Sequence, residues 1–319
     1  MNKILIISNE NNQEVNGILP YLENKEVFFL NLSKIHSHYS ISLFHNDCYF
    51  EIINEKTKAK ITSTNTKTIW YVTENDVYKE GFEKNDELAY FFRNEFSMLL
   101  NGIVSCAEEL NIKIINPPHK VFFAGDKTRQ MLTAKKVGFQ LPHQLITNRI
   151  TSFVDQNWST NCIAKPIHSS NLIHKMDKTL FSNPVNITKS IYQAILKEEV
   201  ELTVHHFQEK LNFIHEYRVV CFNNQVFPFK ISGNYILDWR EHMDSITIEF
   251  DPAFSLINEC NEYMDSLDIK LGAFDFIQTE KGIFFIECNS PGHIQFCDPD
   301  NNTGMLKAFA DYLSSDFRY

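Results

Sequence analysis

The residues best suited to chemistry lie near the C-terminus, in a stretch whose pattern predicts a β-hairpin. Asp275 interrupts an apolar run in the first strand, and Glu287 and Asn289 lie two positions apart in the second, so they face the same side. Carboxylates among Ile and Phe are costly to bury unless they are paired or bind a metal. Such oxygen ligands suit Mg²⁺, which one or two carboxylates hold together with substrate phosphates. The hairpin therefore predicts a magnesium site.

Three lysines stand where they could bind phosphate groups. Lys165 ends a predicted strand and precedes Pro166, and Lys127 follows Asp126 at a predicted helix start, where backbone N–H groups also favour anions. Lys230 lies inside a strand-like run and is flanked by apolar residues. Each lysine alone is weak evidence, because most lysines are merely solvated at the surface. Beside a magnesium site, however, they predict a phosphate-binding protein.

The elements that must position these residues fall on either side of a double proline. Upstream, a βαβ opening with strands at 3–8 and 27–30 precedes an antiparallel excursion at 41–62, a strand at 68–72, a helix at 84–111 and a strand at 112–115. The prolines at 117 and 118 halt both helix and strand, which predicts a domain boundary. The elements expected downstream are a helix at 127–137, strands at 162–165 and 179–181, a helix at about 187–197, strands at 204–207, 213–222 and 225–231, a helix near 252–268, the hairpin at 271–289 and a helix at about 303–315.

Composition excludes several classes of protein. The 30 Lys+Arg and 40 Asp+Glu residues give a formal charge of -10, which disfavours nucleic-acid binding. The glycines are never spaced as in Rossmann or Walker A motifs, and the seven cysteines form no C-x-x-C pair. Neither a signal peptide nor a membrane-length apolar run is visible. We therefore expect a cytoplasmic protein that binds neither nucleic acid nor membrane.

The order of these pieces resembles the ATP-grasp superfamily of carboxylate–amine ligases. A Lys at a helix start is followed by an apolar-Lys-Pro strand, a hinge strand, an acidic-x-Arg strand, an Asp strand and a Glu-x-Asn strand, over roughly residues 119–315. The resemblance implies an α/β fold that is α+β in its C-terminal half. It also implies an N-terminal pre-ATP-grasp α/β domain at 1–118, a central ATP-grasp subdomain at 119–203 and a C-terminal subdomain with the magnesium site at 204–319.

Within the superfamily, the chain is most similar to the microviridin-type (graspetide) ligases, which modify ribosomal peptides. The stretches that carry the similarity are 69–71, 179–185, Glu216-Tyr217-Arg218, Asp238-Trp239-Arg240, 272–277 and 285–292. The Asp-Trp-Arg run is the most particular of them. The similarity implies ATP and Mg²⁺ as cofactors and a precursor peptide, with leader and core, as substrate.

The resemblance also implies a role for each matching position. The expected roles are phosphate binding by Lys127 and Lys165, adenine and ribose binding at the hinge by Gln208 and Glu209, further nucleotide contact by Glu216, catalysis at the transferred phosphoryl group by Arg218, Arg240 and Lys230, and magnesium binding by Asp275, Glu287 and Asn289.

The implied reaction begins when a carboxylate attacks the γ-phosphate of Mg·ATP, which gives an acyl phosphate and ADP. A hydroxyl or amine then displaces phosphate. In a graspetide ligase, Asp or Glu of the precursor is the carboxylate, and Thr, Ser or Lys of the same peptide is the acceptor, so the product is a macrocycle. A ligase of free amino acids or a glutamate-adding ligase remains the alternative; a kinase and a non-catalytic ATP-binding regulatory module are remoter ones. A homodimer is common in the resembled family.

One expectation concerns stability as well as activity. Asp275 and Glu287 are like charges on one predicted patch, so relief of their repulsion is expected in Glu287→Gln. This variant is therefore expected to lose activity while its thermal stability stays unchanged or rises.

Overall fold

The computed structural model describes residues 3–22, 26–72, 87–149, 152–153, 156–157, 159, 161–165, 167, 185–187, 204–234, 239 and 244–316. The predicted strand at 179–181, nearly all of the predicted helix at 187–197 and Arg240 lie outside these residues. The described strands are β1 (Lys3–Ser8), β2 (Val27–Asn31), β3 (Tyr39–Phe44), β4 (Tyr49–Asn54), β5 (Lys60–Thr62), β6 (Thr66–Tyr71), β7 (Lys113–Ile115), β8 (Gln144–Thr147), β9 (Cys162–Lys165), β10 (Val185–Ile187), β11 (His205–Glu209), β12 (His215–Phe222), β13 (Gln225–Gly233), β14 (Ile246–Phe250), β15 (Leu271–Thr279) and β16 (Gly282–Asn289). The described helices are α1 (Gln13–Ile18), α2 (Ile35–His38), α3 (Glu87–Glu109), α4 (Pro118–Ala124), α5 (Lys127–Lys136), α6 (Ile257–Leu267) and α7 (Met305–Ser314).

The N-terminal sheet is parallel and has the strand order β2-β1-β6-β7. Leu5, Ile6 and Ile7 of β1 are all fully buried, because both faces of this strand are covered. Ile6 and Trp70 pack on one face of the sheet, whereas Leu5 and Ile7 pack on the other. The predicted βαβ opening is thereby confirmed.

A small antiparallel sheet, β3-β4-β5, follows as the alternating pattern predicted. Its buried residues Phe50, Ile52 and Ile61 share one core with Leu100 and Ile103 of α3. The apolar side of the long helix therefore packs in a core that this sheet shares with the N-terminal sheet.

The double proline begins a helix as well as ending a strand. Pro118 is the first residue of α4, where its fixed φ suits the first turn and its missing N–H costs nothing. Helix α5 follows, and its N-cap is Asp126, whose carboxylate accepts a hydrogen bond from the backbone N–H of Arg129 at 2.8 Å. The start of α5 at Lys127 is as predicted, whereas α4 was not predicted.

Two antiparallel sheets form the rest of the described fold. The first has the order β10-β9-β11-β8, and the second has the order β14-β13-β12-β15-β16. One face of the five-stranded sheet packs on α6, where Tyr263 meets Phe274 and Phe285. The other face packs toward the N-terminal sheet and α7.

The N-terminal and C-terminal parts share buried contacts. Ile6 and Trp70 belong to the same core as Phe222 and Phe309, and the rings of Trp70 and Phe309 meet edge to face with centroids 5.3 Å apart. The ammonium of Lys113 donates to the backbone carbonyls at the end of α7. The division into domains at 118 and 203 stays a prediction. Within the part of the chain that the structure describes, every helix is too short or too polar to span a lipid bilayer.

Candidate active site

The three predicted magnesium ligands converge on one face of the β15–β16 hairpin. Asp275 lies directly opposite Glu287, and Asn289 lies opposite Ala273, two residues along the same face. The side-chain amide of Asn289 donates to Asp275 Oδ2 at 3.3 Å and to Glu287 Oε1 at 3.2 Å. The two carboxylates therefore share one donor, and their oxygens point to a common position. Strand alternation predicted this convergence.

These three residues fit a magnesium ion by their chemistry. Two carboxylates and one amide provide hard oxygen ligands, and this set is small enough to leave room for waters and phosphate oxygens. The shared Asn289 donor shows that one small group can contact both carboxylates at once. The observed arrangement therefore suits the cation that the resemblance implies.

Arg218 lies on the neighbouring strand β12, on the same side of the sheet as the three predicted magnesium ligands. It lies opposite Asp275, donates from Nη1 to Asp275 Oδ1 at 2.8 Å, and is only 2% exposed. Its Nη2 donates to the carbonyls of Gly292 at 2.7 Å and His293 at 3.0 Å. Arg218 therefore holds both the Asp275 carboxylate and the loop that follows β16. Its predicted contact with a transferred phosphoryl group stays a prediction.

Glu216 and Lys230 take opposite sides of the five-stranded sheet. Glu216 lies two residues before Arg218 on β12 and therefore faces the same side of the sheet as Arg218. Lys230 pairs with Tyr217, which neighbours Arg218 on β12 and so faces the other side of the sheet. Lys230 therefore lies on the side away from Arg218, near His215 and Asp251. The structure therefore does not bring Lys230 together with the other predicted residues, and its catalytic role remains an untested prediction.

Lys127 reaches the hairpin from the start of α5. Its ammonium forms an ion pair with Glu287 Oε2 at 2.5 Å, with the two side chains 17% and 24% exposed. The Asp126 cap fixes the start of the helix and hence the direction of Lys127. The lysine predicted to bind phosphate is thus held beside the predicted metal ligands.

Lys165 and Gln208 meet on the sheet that carries the predicted hinge. The Lys165 ammonium donates to Gln208 Oε1 at 2.6 Å, and Gln208 is buried. Glu209 points to the opposite face of β11, where its carboxylate accepts from the backbone N–H of His143 at 3.3 Å. Gln208 therefore lies with Lys165, whereas Glu209 lies at the end of β11 and faces the other side of the sheet.

The charges of this site are strongly coupled. Burial raises the pKa of Glu287, but the ammonium groups of Lys127 and Lys165 outweigh burial and hold this pKa well below its ordinary value. Burial lowers the pKa of Lys165 to about 8, while the Glu287 carboxylate opposes that shift. The repulsion between Asp275 and Glu287 expected from the sequence is thus offset, because each carboxylate has its own cationic partner.

His206 is a buried neighbour that the sequence did not single out. It lies opposite Lys165 in the β11–β9 pairing, and its Nε2 lies 2.8 Å from Gln144 Oε1. Burial lowers its pKa to about 3, and the charges of Lys165 and Lys127 act in the same direction. The imidazole is therefore neutral and adds no charge to the site.

Three further residues hold the hairpin and its following loop in place. Gln130 donates from its side chain to the carbonyls of Ala124 and Cys288 at 2.8 and 2.9 Å. Asn116 donates to the carbonyls of Leu271 and Ser290, both at 2.7 Å, and accepts from the backbone N–H of Lys270 at 2.7 Å.

The third is Glu14, which accepts from the backbone N–H groups of Ile294 at 2.8 Å and Gln295 at 3.0 Å. Sequence reasoning missed all three residues, because each acts across more than 150 positions of the chain on backbone groups. The one sequence signal that could have indicated such a role is a polar residue in an otherwise apolar helix face, as at Gln130.

A cavity of about 440 Å³ opens beside the site. Lys127 and Asn289 line one part of it, and Val121, Phe122 and Ile167 line another. The cavity therefore joins the charged residues to an apolar wall.

No protein-family model matches the chain, and no curated protein matches it either. Its structure is similar to solved ATP-grasp ligases. A RiPP-associated ATP-grasp ligase of Chryseobacterium gregarium, in complex with ADP and a leader and core peptide, has a TM-score of 0.80 at 21% identity, with 100% of both chains covered. The macrocyclase MdnC of Microcystis aeruginosa MRC, bound with precursor peptide MdnA, has a TM-score of 0.79 at 17% identity, with 98% of this chain and 100% of that chain covered.

The ATP-grasp ligase PsnB, complexed with minimal precursor, Mg and ADP, has a TM-score of 0.76 at 16% identity, with 98% of this chain and 96% of that chain covered. These similarities extend over nearly the whole of each chain. The chain therefore has the ATP-grasp fold, as the order of its motifs predicted.

Proposed function

We propose that this chain is an ADP-forming ligase that activates Asp or Glu side chains of a ribosomal precursor peptide and joins them to hydroxyl or amino groups of the same peptide. One observation carries the proposal: Asp275, Glu287 and Asn289 converge beside Lys127 on an ATP-grasp fold. Such a combination of oxygen ligands and a phosphate-binding cation suits Mg·ATP.

The proposed roles combine the motif order of the chain with the positions of the side chains that the structure describes. Asp275, Glu287 and Asn289 would hold magnesium, which supplies neutralisation of the phosphate charge. Lys127 and Lys165 would donate to phosphate oxygens, exchanging their present partners Glu287 and Gln208 for them. The nucleotide base would lie along β11, where we assign Gln208, Glu209 and, from β12, Glu216. Because the Glu209 side chain faces away from Gln208, Glu209 would contact the nucleotide through its backbone.

Bond making and breaking involve only the substrates. A peptide carboxylate oxygen attacks the γ-phosphorus, the bond from this phosphorus to the bridging oxygen of ADP breaks, and an acyl phosphate remains. The acceptor hydroxyl or amine then attacks the acyl carbon, loses its proton and expels phosphate. Arg218 and Arg240 are assigned to the developing phosphoryl charge, as the motif order implies. To contact two phosphoryl oxygens, Arg218 would have to release Asp275 or the carbonyls of Gly292 and His293.

The choice of a peptide substrate is supported by the similar structures. MdnC was solved with a precursor peptide, and the Chryseobacterium gregarium ligase was solved with ADP and with leader and core peptides. The similarity covers 98% and 100% of this chain, respectively, and so extends over its N-terminal elements. A peptide substrate is therefore favoured over a free amino acid.

Mass spectrometry of a Thr/Asp/Glu-rich precursor peptide tests the proposal. After incubation with Mg·ATP, we expect the peptide to lose the mass of one water for each ester or amide formed. Glu287→Gln should abolish this loss. Glu280→Gln serves as the matched control, because Glu280 is exposed in the turn of the same hairpin. An unchanged peptide mass together with ATP consumption in the presence of free amino acids would replace the proposal with a free-amino-acid ligase.

A further inference from the structure

A groove runs along the exposed side of α5 and leads into the candidate active site. The cavity beside Lys127 and Asn289 adjoins a second cavity of about 280 Å³, and Asp126 and Thr128 line both of them. The second cavity is also lined by Arg129, Leu132, Thr133 and Lys136. These residues are spaced three or four apart, so they form one continuous face of the helix.

This face is both apolar and exposed. Leu132 is 66% exposed and Phe122, at the end of α4, is 80% exposed, although both are large apolar side chains. The opposite side of α5 is buried through Gln130 and Ala134. The packing of α5 within the fold therefore does not account for Leu132 and Phe122.

The segment that carries this face is basic in a chain that is acidic overall. Residues 118–138 carry five Lys or Arg side chains and one carboxylate, whereas the whole chain has a formal charge of -10. Two of these cations have partners, Lys120 with Asp268 and Lys127 with Glu287.

The Arg129 guanidinium lies 3.5 Å from the centroid of the Phe123 ring, which positions it at the surface. Among the residues that the structure describes, Lys135 and Lys136 have no ion-pair partner. Cationic groups are thus left available beside the apolar side chains.

We infer that this groove, defined by Phe122, Arg129, Leu132 and Lys136, binds an acidic peptide segment that carries apolar side chains and guides it to the active site. The inference rests on the proposed function, because the segment belongs to the peptide whose carboxylates are activated. Arg129 and Lys136 would pair with the carboxylates, and Leu132 and Phe122 would contact the apolar side chains. Continuity with the cavity at Lys127 and Asn289 places the bound segment next to the reacting groups.

Fluorescence anisotropy on the full chain tests the groove without turnover. The probe is a fluorescein-labelled peptide of repeating Glu-Leu-Thr, compared with its counterpart in which Gln replaces Glu. We expect the acidic probe to bind at least about tenfold more tightly, with an affinity that falls as salt is added. Lys136→Glu and Leu132→Ser should each weaken its binding about fivefold to tenfold.

Two matched control variants separate the groove from general surface effects. Met98→Ser removes an apolar side chain that is also 66% exposed, but on α3, and Lys281→Glu reverses an exposed charge in the β15–β16 turn. Both should bind the probe within about twofold of the wild type. Calorimetry should give all four variants the wild-type affinity for Mg·ATP, which shows that they are folded.

Several outcomes would overturn the inference. These are an absence of probe binding, equal binding of the Gln probe, and wild-type affinity in both groove variants. A loss of dimerisation in Leu132→Ser, measured by light scattering with probe affinity unchanged, would instead assign the face to a second copy of the chain.

Turnover of a precursor peptide distinguishes this inference from the proposed function. We expect Leu132→Ser to raise KM for the peptide and to leave kcat unchanged. If Leu132→Ser crosslinks the peptide with the wild-type KM, the inferred peptide-binding groove is refuted and the proposed function is not. Probe binding without any ATP-dependent crosslinking would refute the proposed function alone.

Discussion

Glu287→Gln removes one negative charge from the centre of the candidate site and nearly preserves the size of the side chain. In the structure, Glu287 pairs with Lys127 at 2.5 Å and lies within the influence of Lys165. The substitution would therefore leave two buried or half-buried ammonium groups with less compensation. The Asp275 carboxylate would gain little, because Arg218 already neutralises it.

The expected size of this effect follows from the burial of the pair. Removing one partner of a fully buried ion pair costs about 3–5 kcal/mol. The side chains of Lys127 and Glu287 are 17% and 24% exposed, so water screens part of the charge. We therefore expect a loss of about 1–3 kcal/mol, or roughly 1.5–4.5 °C in melting temperature for a chain of this size. This direction is opposite to the one expected from the sequence.

Calorimetric melting of the ligand-free protein provides the assay, with Glu280→Gln as the control for a lost charge in the same hairpin. A second scan with Mg·ADP should raise the melting temperature of the wild type and of the control, but not that of Glu287→Gln. A variant that melts at or above the wild-type temperature without ligand would show that repulsion from Asp275 outweighs the pair with Lys127.

Three further outcomes test the surroundings of the site. Asn116→Ala should lower the free energy of unfolding in urea by about 3 kcal/mol, because buried backbone groups at the start of β15 and in the loop after β16 lose their hydrogen-bond partner. Asn101→Ala, at an exposed helix position, should leave the free energy of unfolding nearly unchanged. Gln130→Leu should weaken Mg·ATP binding measured by calorimetry with a smaller change in stability, because Gln130 positions the strand of Glu287; wild-type affinity would contradict this role. Burial lowers the pKa of Lys165 to about 8 from its ordinary 10.5, so between these pH values the unfolded chain binds more protons than the folded chain. The free energy of unfolding of the wild type, relative to that of Lys165→Met, should therefore rise as the pH increases from 8 to 10.5. A difference in unfolding free energy that does not change with pH would contradict the burial of the Lys165 charge.

The parts of the site that could be predicted depend on short-range patterns. Alternation in a hairpin places Asp275, Glu287 and Asn289 on one face, and Asp126 before Lys127 marks a helix start. Motif order along the chain then predicts the fold, which the similar structures confirm. These inferences needed no knowledge of which distant segments pair.

The parts that could not be predicted depend on long-range pairing. The side of the sheet that Lys230 faces follows from its register with Tyr217 and Arg218, and a shift of one residue would reverse it. The partner of Glu287 is likewise a helix residue 160 positions away. Without that partner, like-charge repulsion was the only visible interaction, so the stability effect of Glu287→Gln expected from the sequence has the opposite sign to the one expected from the structure.

The most direct measurement follows oxygen from the peptide to inorganic phosphate. The side-chain carboxylates of a Thr/Asp/Glu-rich precursor are labelled with ¹⁸O, and the peptide is incubated with the enzyme and Mg·ATP. An acyl phosphate transfers one labelled oxygen to phosphate for each ester or amide formed, so labelled phosphate and lost water should appear in equal amounts. Crosslinked peptide with unlabelled phosphate, or ATP hydrolysis without any change in the peptide, would contradict a ligase that activates peptide carboxylates as acyl phosphates.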